Sequence, residues 1–169
     1  GKKITYAGPA KQISPEYEQI DINGKTIMPG LIDTHLHFSG NLTDDDTEWV
    51  LEDRVQKTVV AVQQAHECLE NGLTTVGEIS YSGLAIRNMV EKGVMQGPRV
   101  VGTGLGFCRT CGHGDSHKLP IWYNEQSHPW AERVDGPWEL RKAVRKRLRE
   151  NPNAKYGLPA AAFGTGIKN

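Results

Sequence analysis

The sequence predicts an α/β fold built on a parallel sheet. Three strand-like segments, at residues 31–38, 73–79 and 99–103, alternate with helical patterns at 47–71 and 84–95. Each helical pattern ends at a glycine, which commonly follows the last turn of a helix. Strands that alternate with helices pair in parallel through helical crossovers. We therefore expect the three strands to be adjacent and parallel, in chain order.

The first thirty residues read as β structure of a different kind. Short strand-like runs at 4–9, 17–22 and 25–28 surround the pair Asn23-Gly24. Asn-Gly is a strong hairpin signal, because a type I′ turn needs a positive φ at both central residues. The segment therefore predicts a hairpin that belongs to a small β domain.

Two helices carry periodic apolar positions that predict their buried faces. The first predicted stripe includes a histidine, His66, which we expect to be a core residue; its members are Val55, Val59, Val62, His66 and Leu69. A further helix is predicted at 137–150, because proline suits a first turn. Its predicted stripe is Leu140, Val144 and Leu148, which would leave its many Lys and Arg residues in solvent.

Two segments have weaker patterns. Residues 104–135 read as one long loop that begins among closely spaced glycines and contains Trp122, Tyr123 and Trp130. Aromatic residues in such a loop either line a pocket or pack the loop onto the rest of the fold. Residues 151–169 follow no clear period and form an unassigned tail, with a further strand as one interpretation.

Composition excludes several classes of function. The 169 residues include 20 Lys and Arg against 20 Asp and Glu, and 37% of the chain is hydrophobic. A balanced charge argues against nucleic acid or an anionic membrane as the main partner. No apolar run approaches the roughly 18 residues of a membrane span. The odd count of three cysteines and the lack of an apolar leader at the first residues favour a cytoplasmic protein.

The residues with the clearest chemical pattern are His35 and His37. Residues i and i+2 of a strand point to the same face, so two imidazoles at this spacing can bind one metal ion. They lie in the segment Pro29-Gly30-Leu31-Ile32-Asp33-Thr34-His35-Leu36-His37, which follows the predicted hairpin.

This segment resembles the entry signature of the amidohydrolase superfamily, in which Pro-Gly-Leu-Ile-Asp-x-His-x-His opens the first strand of a metal-bearing (β/α)8 barrel. The resemblance extends through residues 66–76 and 85–99, and the Gly112-His113-Gly114-Asp115 loop is similar to the imidazolonepropionase-like and dipeptide-hydrolase branch. It implies a partial β-sandwich at 1–30, the first half of a TIM barrel at 31–150, and the tail at 151–169. A complete barrel takes about 250 residues, so the chain is expected to contain about half of one.

The resemblance also implies the chemistry. His35 and His37 would bind one or two divalent metal ions, with zinc as the expected metal, and a metal-activated water would cleave an amide or peptide-like C–N bond of a small-molecule amide or dipeptide. The catalytic base is expected outside this chain. Lys155, and less favourably Lys168, are candidates for the lysine that bridges two metals in the family.

Two other interpretations stay open. A mononuclear aminohydrolase, or deaminase, shares the fold and usually lacks the bridging lysine. A non-catalytic half-barrel that acts as a binding module would need a partner to cover its open strand edges. Homo-oligomerisation is also open.

The loop that follows the third strand supplies the candidate substrate-binding residues. The βα loops at the carboxyl face of a barrel build its active site, so His113 or Asp115 is expected to turn towards His35 and His37. Cys108 and Cys111 have C-x-x-C spacing, but no matching further ligands accompany them. We interpret them as loop cysteines in a reducing compartment.

Overall fold

A computed structural model describes residues 3–127, 131–151 and 162–163 of the chain. The strands are β1 Leu31–Leu36, β2 Leu73–Glu78, β3 Arg99–Gly102, β4 Gly106–Cys108, β5 Ala131–Arg133 and β6 Ala162–Phe163. The helices are α1 Asp46–Leu51, α2 Arg54–Glu70, α3 Gly83–Glu91, α4 Ile121–Ser127 and α5 Pro137–Glu150. Within these described ranges, no helix combines the length and the apolar character that crossing a membrane requires.

The first three strands form one sheet in the order β1-β2-β3, with both pairs parallel. This confirms the predicted order and direction, and with them the α/β class. The carboxyl ends of the strands are in register, because Leu36 pairs with Glu78 and Glu78 pairs with Gly102. All three strands therefore end at the same edge of the sheet, where the loops that follow them meet.

The predicted helix at 47–71 is two helices, so that boundary is wrong. Asp45 caps α1 by accepting a hydrogen bond from the backbone N–H of Thr47, and Asp53 caps α2 through Val55. A side chain that caps a new N-terminus competes with helix continuation, which explains the break at Glu52 and Asp53.

The core lies between this sheet and helices α2 and α3. Its buried residues come from both layers: Phe38, Ala61, Ala65, Val76, Ile86 and Val100. The predicted stripe on α2 is wrong at Val55 and Val59, which are 70% and 63% exposed, and His66 is only half-buried. The buried face is instead Ala61 and Ala65 with part of Cys68, because small side chains let the helix approach the sheet closely.

Helix α5 also buries a different face from the one predicted. Leu140 and Leu148 are exposed, whereas Ala143 and Arg147 are buried. Arg147 is tolerated there because its guanidinium pairs with Glu132 at 3.3 Å and with Glu150 at 2.7 Å. A buried cation needs such partners, so one of the basic residues expected in solvent forms part of the packing.

The amino-terminal segment keeps the predicted turn but not the predicted strands. Asn23 and Gly24 have φ values of 50° and 74°, and the Lys25 N–H donates to the Ile22 carbonyl at 3.0 Å. Residues 4–9, 17–22 and 25–28 contain no strand. A two-stranded hairpin is marginal alone, and apolar residues of this segment such as Ile20 and Ile27 stay largely exposed among the residues that the structure describes.

The segment predicted as one long loop contains β4, α4 and β5, so that prediction is wrong. A second sheet has the order β5-β4-β6, and both of its pairs are parallel. Parallel strands need a crossover, and α4 supplies it between β4 and β5. In the tail, the described residues 162–163 form β6, which agrees with the interpretation of a further strand there.

Burial of Val76 gives a test of this packing. Val76 lies on β2 and is fully buried, so its replacement by Ala should lower the free energy of unfolding by about 2 kcal/mol. The matched change of exposed Val55 to Ala should alter it by less than about 0.5 kcal/mol. Urea denaturation measures both values, and equal losses would contradict the assigned core.

Candidate metal centre

The two predicted metal ligands emerge where β1 ends. His35 lies in the strand, and His37 lies one residue beyond its last member, Leu36. Both imidazoles reach the surface of the structure, and their ring centroids are 5.0 Å apart with the planes at 86°. The i, i+2 spacing therefore brings the rings together as predicted.

A backbone carbonyl orients the ring of His37. Its Nδ1 lies 2.6 Å from the carbonyl oxygen of Ile79, which can only accept. In the neutral imidazole, Nδ1 therefore carries the proton and donates, while Nε2 carries the lone pair. Metal-binding histidines typically have this arrangement, because the second hydrogen bond fixes both the tautomer and the ring orientation.

One backbone bond and two side chains extend the pairing of β1 and β2 beyond their last residues. The Ile79 N–H donates to the Leu36 carbonyl at 3.1 Å, and the Phe38 N–H donates to Oε1 of Glu78 at 3.0 Å. The Ser80 hydroxyl donates to the Phe38 carbonyl at 3.1 Å. Residues 78–80 thus hold the backbone on both sides of His37.

Glu78 is the residue of this region that the sequence analysis missed. It is fully buried, and its Oε2 has no hydrogen-bond partner among the described residues. Burial raises the pKa of Glu78, although Ser80, the Phe38 N–H and His37 oppose the rise. The single acidic residue at the end of an otherwise uncharged, β-branched strand was the available signal.

The histidine pair fits a divalent metal ion in its donor type and geometry. Two imidazole nitrogens bound to one zinc ion lie roughly 3.3 Å apart at tetrahedral angles, which rings 5.0 Å apart can satisfy. The part of the chain that the structure describes holds no cluster of three or more His, Cys, Asp and Glu suited to a metal. It therefore offers two ligands of the three or four that a zinc site uses.

A cleft of about 480 Å³ opens at the same edge of the sheet. Residues that follow each of the first three strands line it: Ser39 after β1, Tyr81 and Ser82 after β2, and Leu105 after β3. Trp49 and Lys57 form one wall and Tyr123 of α4 contributes another. The segment after β3 also reaches the loop after β1, because Lys118 lies 3.8 Å from Asp45. These contacts place part of the predicted loop beside the histidines' end of the sheet.

The two predicted substrate-binding residues have different surroundings. His113 is exposed. Asp115 is engaged within its own segment, where Oδ2 accepts from the Cys111 N–H at 2.9 Å and Oδ1 accepts from Asn124 at 3.0 Å. Arg133 adds an ion pair at 3.4 Å, and both of these side chains are 9% exposed. These contacts give Asp115 a role in holding the loop, and its contact with substrate stays a prediction.

The cysteine pair lacks the chemistry of a redox site. Burial raises the pKa of Cys108 to about 11, and the nearby Asp115 carboxylate adds to the rise. Cys111 is exposed and has a φ of 60°. Redox-active cysteines of C-x-x-C pairs have lowered pKa values, so these contacts favour the interpretation as loop cysteines.

Thiol labelling tests this interpretation. At pH 8 a thiol with a pKa of about 11 is ionised at the level of about one molecule in a thousand, so Cys108 should label far more slowly than Cys111. Mass mapping after a timed iodoacetamide reaction gives both rates, and unfolding in urea should equalise them. A disulfide between the two, or similar rates in the folded protein, would contradict the prediction.

The structure predicts that Asp115 acts mainly on stability. Its change to Ala removes the acceptor of the Cys111 N–H and one partner each of Asn124 and Arg133, and should lower the free energy of unfolding by about 1–3 kcal/mol. The control is Glu125 to Ala, which removes the exposed partner of Arg133 at 3.6 Å and should cost less than about 1 kcal/mol. Equal and small effects in denaturant titrations would show that the loop does not depend on Asp115.

Comparisons with known proteins place this arrangement in a family. The model of the amidohydrolase family matches residues 26–162. Ochratoxinase of Aspergillus niger is 27% identical over 165 residues, which cover 88% of this chain and 34% of that protein. A prolidase solved with N-methylphosphonate-L-proline has a TM-score of 0.65 at 27% identity, covering 78% of this chain and 33% of its own.

A further solved structure, a Xaa-Pro dipeptidase with bound methionine, has a TM-score of 0.55 at 28% identity and covers 72% of this chain and 31% of its own. This chain thus spans about a third of the length of these relatives. The family match takes in β1 with both histidines and covers most of the chain, which confirms the resemblance inferred from the motif. The chain belongs to the amidohydrolase family.

Proposed function

We propose that this chain is part of a metal-dependent hydrolase that cleaves an amide or peptide-like C–N bond. The observation that carries the proposal is the orientation of His37, whose Nδ1 is held by the Ile79 carbonyl at 2.6 Å beside the ring of His35. Family membership supports the same reaction class. Ochratoxinase, a prolidase and a Xaa-Pro dipeptidase, all similar to this chain, indicate dipeptide-like amides as the substrate class.

In this proposal β1, β2 and β3 are the first three strands of a (β/α)8 barrel. β1 is an edge strand among the described residues, and its outer side would receive the last barrel strand. The exposed face of Ile32 and the exposed amino-terminal apolar residues would be covered by the rest of the barrel and the β-sandwich. Lys155 and Lys168, the candidate bridging residues, lie outside the described residues.

His35 and His37 would hold one metal ion through Nε2, and further ligands would come from other barrel strands. A bound divalent metal lowers the pKa of its water towards roughly 7 and polarises the scissile carbonyl. The chain's own contribution is to hold both residues: Asp33 accepts from the backbone N–H of His35 at 2.9 Å, and the Ile79 carbonyl orients the ring of His37.

The cleft at the carboxyl edge of the sheet would receive the substrate. Its walls carry aromatic rings and charges of both signs, since Arg54 and Lys57 face it together with Glu52 and Asp53. Such walls suit a dipeptide, which has an apolar body and ionised ends. His113 would contact the substrate from the loop, and Asp115 would keep that loop in place through Arg133 and Asn124.

Replacing His35 and His37 tests the metal site. In the complete protein, changing both to Ala should remove at least one equivalent of zinc and abolish hydrolysis of dipeptides and N-acyl amino acids. Elemental analysis by mass spectrometry gives the metal content, and amine release gives the activity.

The matched control is His66 to Ala, which removes a half-buried imidazole on α2 and should leave the metal content unchanged. Unchanged metal content in the double variant would contradict the assignment of the ligands. Ammonia released from an amino-substituted ring, without peptide cleavage, would identify a deaminase instead. Metal-free protein without either activity would identify a binding module.

A further inference from the structure

The contacts of Glu78 lead from the core of the sheet to the candidate metal ligands. Its Oε1 accepts from the Phe38 N–H at 3.0 Å, directly after His37 in the chain. Its own backbone carbonyl accepts from the Thr103 N–H at 3.1 Å, so the residue also fixes the end of β3. Phe38 is 1% exposed and belongs to the core, so its backbone N–H could not form a hydrogen bond with water if the Glu78 acceptor were lost.

The second oxygen of Glu78 is directed at the first residue of helix α3. A Cβ built at Gly83 would overlap Oε2 of Glu78, so only glycine fits there while the carboxyl keeps its place. Ser82, the N-cap residue of α3, makes no capping hydrogen bond through its side chain. The carboxyl group therefore sits at an uncapped helix N-terminus, where the partial positive charge of the helix favours an anion or an acceptor.

We propose that Glu78 is a positioning residue of the metal site, which couples the N-terminus of α3 to the backbone beside His37. The inference rests on the proposed function, because it assigns Glu78 a role through His37 and not a contact with the metal. The short loop 79–82 follows Glu78 directly, and its Ile79 carbonyl is the acceptor that orients His37. A shift of the Glu78 carboxyl would therefore free the Phe38 N–H beside His37 and disturb the start of the loop that carries the orienting carbonyl.

Three substitutions perturb this link by different routes, and a fourth, Glu78→Gln, is the conservative control. Glu78→Leu keeps a side chain of similar volume and removes the acceptor for the Phe38 N–H. Gly83→Ala leaves Glu78 chemically intact and displaces its carboxyl, in a helical position where Ala is otherwise favourable. Glu78→Gln retains Oε1 as an acceptor and should behave closer to the parent. Ser80→Ala removes the hydroxyl bond to the Phe38 carbonyl and gives a milder version of the same change.

The experiment measures metal affinity and site geometry in the complete protein. Competition with a zinc chelator should show a roughly 10- to 100-fold weaker affinity for Glu78→Leu and Gly83→Ala, the range found when partners of metal ligands are lost. Glu78→Gln should stay within about threefold of the parent, which a loss of core packing alone would not produce. The visible spectrum of the Co²⁺ form should change for the first two variants and not for the third.

Val76→Ala separates positioning from stability, because Val76 is a fully buried residue of the same strand and core cluster whose side chain cannot form a hydrogen bond with the Phe38 backbone. It should lower the melting temperature and leave the zinc affinity within about twofold. If Glu78→Leu does not fold, Gly83→Ala and Ser80→Ala decide the question. Parent-like zinc affinity in these variants, or an equal loss in Val76→Ala, would overturn the role of Glu78. A parent protein that binds no zinc would instead refute the proposed function, and with it this role.

Discussion

The junction between the ends of β1 and β2 is the contact on which the candidate site depends. Within the strands, backbone bonds, with register shifts after Leu31 and between Asp33 and Leu36, pair the two segments as far as Leu36 and Glu78. Beyond them, the Glu78 and Ser80 side chains bond both backbone groups of Phe38. These side-chain bonds take the place of backbone pairing because β1 ends before His37, whose ring turns towards the Ile79 carbonyl. If the backbone pairing continued to Phe38, His37 would be held as a regular strand residue and its ring could not turn in this way.

The sheet order could be predicted from sequence because it depends on local information. Each strand is a short apolar or β-branched run, each crossover is a helix with its own end signals, and right-handed connections leave one arrangement of neighbours. The Asn23-Gly24 turn was predictable for the same reason, since its positive φ values are a property of two residues. The strands beside it were not, because a hairpin needs a layer to pack against and that layer is not a local property.

Helix faces were predicted poorly where the buried residues are small or charged. A periodic search weights Val55 and Val59 above Ala61 and Ala65, yet close approach of α2 to the sheet favours the alanines. Arg147 can be buried because its guanidinium pairs at 3.3 Å with Glu132, which lies 15 positions away in the sequence. Such a partner is visible only once the fold brings β5 and α5 together. Periodicity therefore identifies a helix more reliably than it identifies which face is buried.

The candidate metal site likewise combines residues that the sequence indicates with residues that only the fold brings near. The i, i+2 histidines are a local pattern, so the sequence indicates them and the structure brings their rings together. The residues that orient them are separated from them by about forty positions, and a lone Glu at a strand end carries no comparable signal. The steric relation between Glu78 and Gly83 supplies a signal for Glu78, because this buried acid faces a position where a methyl group has no room. Glycine five positions after a buried glutamate at a strand end is therefore the sequence pattern that this junction requires, because a side chain at position 83 would displace the carboxyl from the Phe38 N–H.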